Sequence, residues 1–222
     1  MIETLISAYQ LMAEKDLFIL SKGHCSFPYY LMLRSKGYNP HITTHPEKDP
    51  ANGIEFTTGS LGHGLPLGVG VALARKKIVK PGDVYVLMSD GECQEGTTWE
   101  SLQIASHHRL GNLRAIIDYN KIQALDRIED AVSLGDLHAK FEAFGWQIVE
   151  LVDGNDMDQV VEALKTAKTL VGKGKPIVIL MKTSMGKGVD FMEGSHEWHG
   201  IAPNDEQLAK ALTQLPETLG DY

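Results

Sequence analysis

Ser89-Asp90-Gly91-Glu92-Cys93-Gln94-Glu95-Gly96-Thr97-Thr98-Trp99-Glu100 follows the apolar run Val84-Tyr85-Val86-Leu87-Met88. Further along, Asp118-Tyr119-Asn120-Lys121-Ile122 follows a second apolar run, Leu113-Arg114-Ala115-Ile116-Ile117. Both runs read as strands buried on two faces, with a helix pattern between them. An acid-glycine turn and an amide at the tips of neighbouring parallel strands put Asp90 and Asn120 on one edge of a doubly wound sheet, where such sheets bind ligands. Mg²⁺ takes hard oxygen ligands, one or two of them carboxylates, with phosphate and water completing its octahedron. One carboxylate, one amide oxygen and a backbone carbonyl suit it, and Gly91 lets the backbone come close to a phosphate. The dipeptide Asp90-Gly91 alone would be read as a plain turn.

The rest of the chain extends the pattern outward. Helical spacing at Leu5, Ile6, Tyr9, Leu11 and Met12 predicts a helix over 2–14, and Leu17-Phe18-Ile19-Leu20 a strand delivering Ser21-Lys22-Gly23-His24. A helix over 26–36 ends at Gly37-Tyr38-Asn39-Pro40, and residues 41–60, rich in Pro, Thr, Asn and Gly, read as a loop of the kind that carries binding groups. A helix begins at Gly64; Gly68 and Gly70 would admit close packing at about 1 kcal/mol each. Strands at 84–89, 113–118, 147–152 and 177–182 alternate with helices at 97–110, 134–144 and 156–171, and a polar helix follows at 204–213. The reading is α/β: one domain over 1–222, a doubly wound parallel sheet, with a loop-like C-terminal segment over 183–222.

Composition narrows the function. The 222 residues carry a formal charge of −8, so no general field attracts nucleic acid or an anionic membrane, and any phosphate must be bound locally. Two unclustered cysteines, Cys25 and Cys93, suit reduced thiols in a cytoplasm. Neither a secretion signal nor an apolar run near the ~20 residues of a spanning helix is present. Zinc is disfavoured too, because no H-E-x-x-H and no paired C-x-x-C occurs.

The ordered blocks together resemble the transketolase family. They are Ser21-Lys22-Gly23-His24, His45-Pro46-Glu47, Thr58-Gly59-Ser60-Leu61-Gly62-His63-Gly64, the two strand-end motifs quoted above, Phe144-Gly145-Trp146, and Gly194-Ser195-His196-Glu197-Trp198-His199-Gly200. They span roughly residues 16–202, and, with the two strand-end motifs taken together as one, six ordered blocks are far more specific than one acid-glycine turn. The resemblance implies a thiamine diphosphate-binding fold of the diphosphate-binding type, with thiamine diphosphate and Mg²⁺ as cofactors. It implies that Asp90, Asn120 and the carbonyl of Ile122 hold the metal. His24, Gly91 and Glu92 lie at the diphosphate, the backbone of Ser60 and Leu61 lies against the pyrimidine, and His63, where glutamine is common, lies near the cofactor. Glu92 can equally be a solvated first-turn acid favoured by the helix dipole. His45 would reach a donor-sugar hydroxyl, and either His196 or His199 would approach diphosphate or substrate, His196 being favoured. Glu95 and Glu100 match glutamates of a proton network at a subunit interface, with Trp99 beside them, although ordinary surface carboxylates read the same way. His107 and His108 read as helix packing.

Such enzymes move a two-carbon ketol unit from a ketose, or its phosphate, to an aldose. The resemblance covers only the diphosphate-binding part. A separate C-terminal transketolase subunit with the pyrimidine-binding domain is therefore expected to supply the activating glutamate, in a heterotetramer of two copies of each chain. Two departures from the family stand out: an S-G-H-x-G segment expected upstream of the first helix is missing, and Ser89 stands where glycine is usual. Alternatives are a relative with another donor, resembling deoxyxylulose-phosphate synthase or an oxoacid dehydrogenase subunit, and a non-catalytic cofactor-binding regulatory subunit. The H-P-E and W-H-G blocks argue against the dehydrogenase.

Overall fold

The computed structural model describes Ala8, residues 11–151 and residues 153–215. Much of the helix expected over 2–14, including Leu5, Ile6 and Tyr9, lies outside the described residues, as does Val152 at the expected end of one strand. Five strands form one sheet: β1 (Leu17–Leu20), β2 (Val84–Ser89), β3 (Leu113–Tyr119), β4 (Gln147–Leu151) and β5 (Ile177–Lys182), in the spatial order β1-β2-β3-β5-β4. Every pairing is parallel.

The apolar runs form strands because both faces of the sheet are covered. Val84, Val86, Met88, Leu113, Ala115 and Ile117 point to one side, into a core shared with α2 (Gly64–Lys77), α3 (Gly96–His107) and α5 (Leu137–Ala143). Tyr85, Leu87, Ile116, Ile177 and Ile179 point to the other side, against α1 (Ser26–Ser35) and α6 (Met157–Thr169). Period-two alternation thus buries successive residues on opposite faces, which is why no polar alternation shows in the sequence.

Helix ends differ from expectation for identifiable reasons. The helix expected over 134–144 begins only at Leu137, where the Asp136 side chain accepts the Ala139 N–H, and a short helix not foreseen, α4 (Ile128–Val132), precedes it. Asp156 caps α6 in the same way through Gln159. The helix expected to reach residue 110 stops at His107 because Arg109 turns left-handed at φ 50°. His107 is exposed at that helix end, its ring edge-on to His108 at 4.8 Å. The two helix glycines also part company. A Cβ on Gly68 would lie 2.5 Å from the Val86 side chain, so α2 rides close on β2 there, whereas at Gly70 nothing lies within 4 Å and no close packing exists. After β5 the chain runs through one 3-10 turn, His196–Trp198, to α7 (Asp205–Gln214), capped by Asn204. Among the described residues no helix is long and apolar enough to cross a membrane.

Candidate active site

The register of β2 and β3 builds the site. Ser89 lies opposite Asp118, so the segments leaving both strands run side by side at the C-terminal edge of the sheet. Asp90 opens a short 3-10 helix and is fully buried. Its two oxygens accept the Lys121 N–H at 2.6 Å and the Gly91 N–H at 2.9 Å. Lys121 can aim its N–H this way because it is left-handed, at φ 63°, an uncommon conformation for a residue with a Cβ. Asn120 Oδ1 accepts the Ile122 N–H at 2.8 Å, and Ile122 bridges to Arg127, closing the turn. Burial pushes the Asp90 carboxyl up to about 7, against the pull of the two peptide N–H groups.

Glu92 is not the solvated first-turn acid that one reading of the sequence allowed. It is fully buried, accepting the Ser21 hydroxyl, the Gly62 N–H at 3.0 Å and the Ser89 N–H at 3.1 Å. One carboxylate thus ties the tip of β1 and the loop before α2 to the tip of β2. Thr97 adds a bond to the Gly62 carbonyl at 2.9 Å, so the loop carrying Ser60, Leu61 and His63 is fastened to the start of α3. His63 itself is exposed, with Nδ1 3.1 Å from the Leu61 carbonyl.

Beside this frame lies a cleft of about 490 Å³ whose lining includes Lys22, His24, Asp118, Asn120, Thr183 and His199. Lys22 is 3% exposed; its ammonium pairs with one Asp118 oxygen while the Thr183 hydroxyl donates to the other. Despite burial, which works the other way, the Asp118 charge holds the Lys22 pKa above its ordinary value, and Lys22 and Thr183 hold Asp118 below its own. The His24 and His199 rings face each other with centroids 5.4 Å apart. Desolvation first, then the Lys22 charge, lowers His24 to about 4; desolvation also lowers His199. Neutral rings can each donate one hydrogen bond without carrying charge.

The glycines join His45 to this group. A Cβ on Gly59 would lie 2.7 Å from the His45 ring, and one on Gly23 would lie 2.8 Å from the Gly59 nitrogen, so ring, loop backbone and the turn bearing His24 are stacked. His196 is not part of the cleft lining; it faces a neighbouring depression shared with His199, Trp198 and Ala124. Glu95 and Glu100 are exposed and away from the cleft. Trp99 belongs to the chain's own packing: it is half-buried, its ring centroid 5.6 Å from Phe144 and 6.2 Å from Phe141, and its indole N–H donates to the Cys93 carbonyl at 2.9 Å.

Lys22 and Asp118 lie inside the motifs quoted from the sequence without a role having been read for them there, and Thr183 lies outside those motifs. The available signal was a lysine and an aspartate each at the end of an apolar strand, since charges placed there are buried only when paired. Among the described residues no group of three or more His, Cys, Asp or Glu is placed to hold a metal, so a cation here would rely on Asp90 with neutral oxygen donors.

A C-terminal-edge cleft on a parallel sheet, with a buried Asp-Gly turn beside an asparagine turn, defines a cofactor-binding α/β domain. The family model described as "Transketolase, thiamine diphosphate binding domain" matches residues 7–216. The chain is 38% identical to a subunit of the apulose-4-phosphate transketolase of Actinobacillus succinogenes over 216 residues, covering 92% of this chain and 77% of that one. It is 36% identical over 214 residues to the 6-deoxy-6-sulfo-D-fructose transketolase subunit SqwG of a Clostridium species, covering 91% and 77%. Among solved structures, a transketolase variant of Pichia stipitis superposes with a TM-score of 0.83 at 28% identity, over 95% of this chain and 36% of that one. The transketolase of Campylobacter jejuni gives 0.81 at 29% identity, over 96% and 37%. The chain therefore spans about a third of those two solved chains. It belongs to the transketolase family, a family of transferases, and is of the N-terminal, thiamine diphosphate-binding subunit type.

Proposed function

We propose that this chain is the N-terminal half of a two-subunit transketolase that needs thiamine diphosphate and Mg²⁺ and moves a two-carbon ketol unit from a ketose to an aldose, either of which can be phosphorylated. The observation that carries the reading is the pairing of a buried Asp90 with the Asn120 turn, next to a cleft lined by His24 and His199. The donor set fits Mg²⁺: Asp90 is a carboxylate with peptide N–H partners, and Asn120 and Ile122 offer neutral oxygens on the adjoining turn. Each Asp90 oxygen keeps a lone pair after one N–H bond, and a cation would relieve the burial that raises its pKa. At Gly91 an added Cβ would make only ordinary contacts, with Ile128, Gln123 and Ser89 at 3.8–3.9 Å, so the chain's own packing does not require glycine there.

When bound, thiamine diphosphate supplies a carbanion that carries the two-carbon unit. This chain's own groups bind and orient. Asp90, Asn120 and the Ile122 carbonyl would hold the metal, with His24 and the Gly91 backbone at the diphosphate. Glu92 keeps the Gly62 turn in place, so that the Ser60 and Leu61 backbone can meet the pyrimidine, with His63 nearby. His45, stacked on Gly59, would hold the donor hydroxyl, and His199 or His196 would complete the substrate side. Exposed Glu95 and Glu100, with no ion pair among the described residues, are free to meet another chain. That the similar chains are themselves named as transketolase subunits supports a separate partner, which would add the activating glutamate in a heterotetramer, two of each, in the cytoplasm.

The test is calorimetric titration of thiamine diphosphate with Mg²⁺ into the complex with its partner. Asp90→Ala should abolish cofactor retention and Asn120→Ala should weaken it less, since a neutral amide is lost. Unchanged affinity in Asp90→Ala would overturn the metal assignment.

A further inference from the structure

At the opposite edge of the sheet, the turns entering β2 and β3 and the loop before β5 enclose a bowl of about 510 Å³. Arg75, Lys76, Lys80 and Arg109 line it, and Asp83 is the one acid among its lining residues. That acid is already occupied by the fully buried Arg114 guanidinium at 2.9 Å. Helix C-termini meet here, and cations near them ordinarily do no more than complement exposed carbonyls. This accounts for Lys76, which donates to the His108 and Arg109 carbonyls at 2.7 and 3.0 Å, and for Arg75, which donates to the Asp83 carbonyl at 3.1 Å.

It does not account for the rest. The Lys80 and Arg109 side chains are exposed and have no ion pair or side-chain hydrogen bond among the described residues. Both are presented by left-handed turns, at Val79 (φ 56°) and at Arg109 itself (φ 50°), conformations that residues with a Cβ rarely hold. The facing wall is Val171-Gly172-Lys173-Gly174, with Gly172 and Gly174 at φ 81° and 74°. Their backbone nitrogens crowd against Gly111, 3.6 and 3.4 Å from where a Cβ there would be. Lys173 N–H donates back to the Leu170 carbonyl, but the N–H groups of Gly172 and Gly174 have no acceptor among the described residues. Closely spaced free N–H groups in a left-handed turn form an anion-binding concavity. Gly172 and Gly174 line the same bowl as these two unpartnered cations, in a chain whose net charge is −8, so the cluster of positive charge is local.

We propose that this bowl binds the phosphoryl group of a small phosphate monoester, held by the Gly172 and Gly174 N–H groups and by Lys80 and Arg109. The site is separate from the cofactor cleft and does not depend on the reaction proposed for it. Amide NMR of the full chain, titrated with inorganic phosphate, should show saturable shifts at Gly172 and Gly174. In Lys80→Gln/Arg109→Gln the affinity read at those amides should fall about tenfold or more, as two charge-assisted contacts are lost, while thiamine diphosphate affinity stays unchanged. Parallel titrations with AMP and with a pentose 5-phosphate then tell a nucleotide from a sugar ester, and preference for either supports the site. Amides that do not move, that move equally in the double variant, or that move equally with sodium chloride at matched ionic strength would overturn it.

Discussion

The carboxylates beneath the cleft and the histidines around it are held in opposite ways. Asp90, Glu92 and Asp118 are almost wholly buried, and each is met by donors from other segments of the same chain. His24, His45 and His63 are exposed, and among the described residues the ring hydrogen bonds of His45 and His63 reach only neighbours in sequence, such as Thr44 at 3.3 Å and Ser60 at 3.4 Å. The acids therefore set where the strand tips and loops stand, and the histidines keep donor faces free for something outside the chain. Mutations should divide along that line, with stability lost in the first group and ligand chemistry in the second.

The sharpest break of the contrast is Lys22→Met. It leaves Asp118 buried with only the Thr183 hydroxyl, and removing one partner of a buried pair commonly costs about 3–5 kcal/mol. Denaturant unfolding of the free chain should show a loss of that size, and Lys22→Met/Asp118→Asn should recover much of it. A change below about 1 kcal/mol would mean that the pair is solvated and weak.

On the histidine side, His45→Ala should leave unfolding nearly unchanged and lower the ketol-transfer rate by about 2–4 kcal/mol of barrier, the scale of a hydrogen bond made to the reacting substrate. Rate and thiamine diphosphate affinity measured on the complex separate the outcomes. Loss of cofactor with full turnover at saturating cofactor would contradict the donor-hydroxyl role. His24→Ala should show the reverse pattern.

Trp99 crosses the divide. Its place in the sequence beside Glu95 and Glu100 suggested an interface anchor, but its ring is engaged with Phe141, Phe144 and the Cys93 carbonyl. Trp99→Ala should therefore destabilise the isolated chain by about 2 kcal/mol, less than a fully buried tryptophan because one side of the ring stays open. Glu95→Ala should change only assembly, read by light scattering with and without the partner. If Trp99→Ala leaves the melting temperature of the free chain unaltered, the ring belongs to the interface after all.

What the sequence disclosed follows the same physics. Val84-Tyr85-Val86-Leu87-Met88 and Leu113-Arg114-Ala115-Ile116-Ile117 announce themselves because a parallel strand covered on both faces has to be continuously apolar. The exception inside the second run, Arg114, is a buried cation paired with Asp83 and stacked 4.8 Å over the Tyr85 ring, which no local pattern foretells. Asp90 and Asn120 were legible because their strands are neighbours in register. The burial of Glu92 was not, since its partners Ser21 and Gly62 come from segments distant in sequence. The Asp136 and Asp156 caps were readable in principle as acids just before apolar-periodic runs, and they set the helix starts more sharply than periodicity alone.

The smallest effect expected is a titration, and it probes how open the histidine side is. Desolvation and the Lys22 charge put the folded His24 pKa at about 4, against about 6.5 for an unperturbed histidine. The unfolded chain therefore binds more protons between those values, so through this residue the folded chain gains stability as pH climbs from about 4 to 6.5 and loses it as pH falls. Because the ring is exposed at the cleft mouth, the contribution to unfolding free energy should be slight. The proton itself is the better readout. NMR titration of the His24 ring in the free chain should give a pKa well below 6.5, and Lys22→Met/Asp118→Asn should move it upward. An anionic diphosphate in the cleft would favour the imidazolium, so cofactor binding should raise the His24 ring pKa read in the same NMR titration. A His24 pKa at or above about 6.5 in the free chain would show that solvent screens the ring from Lys22 and that the cleft is wetter than its lining implies.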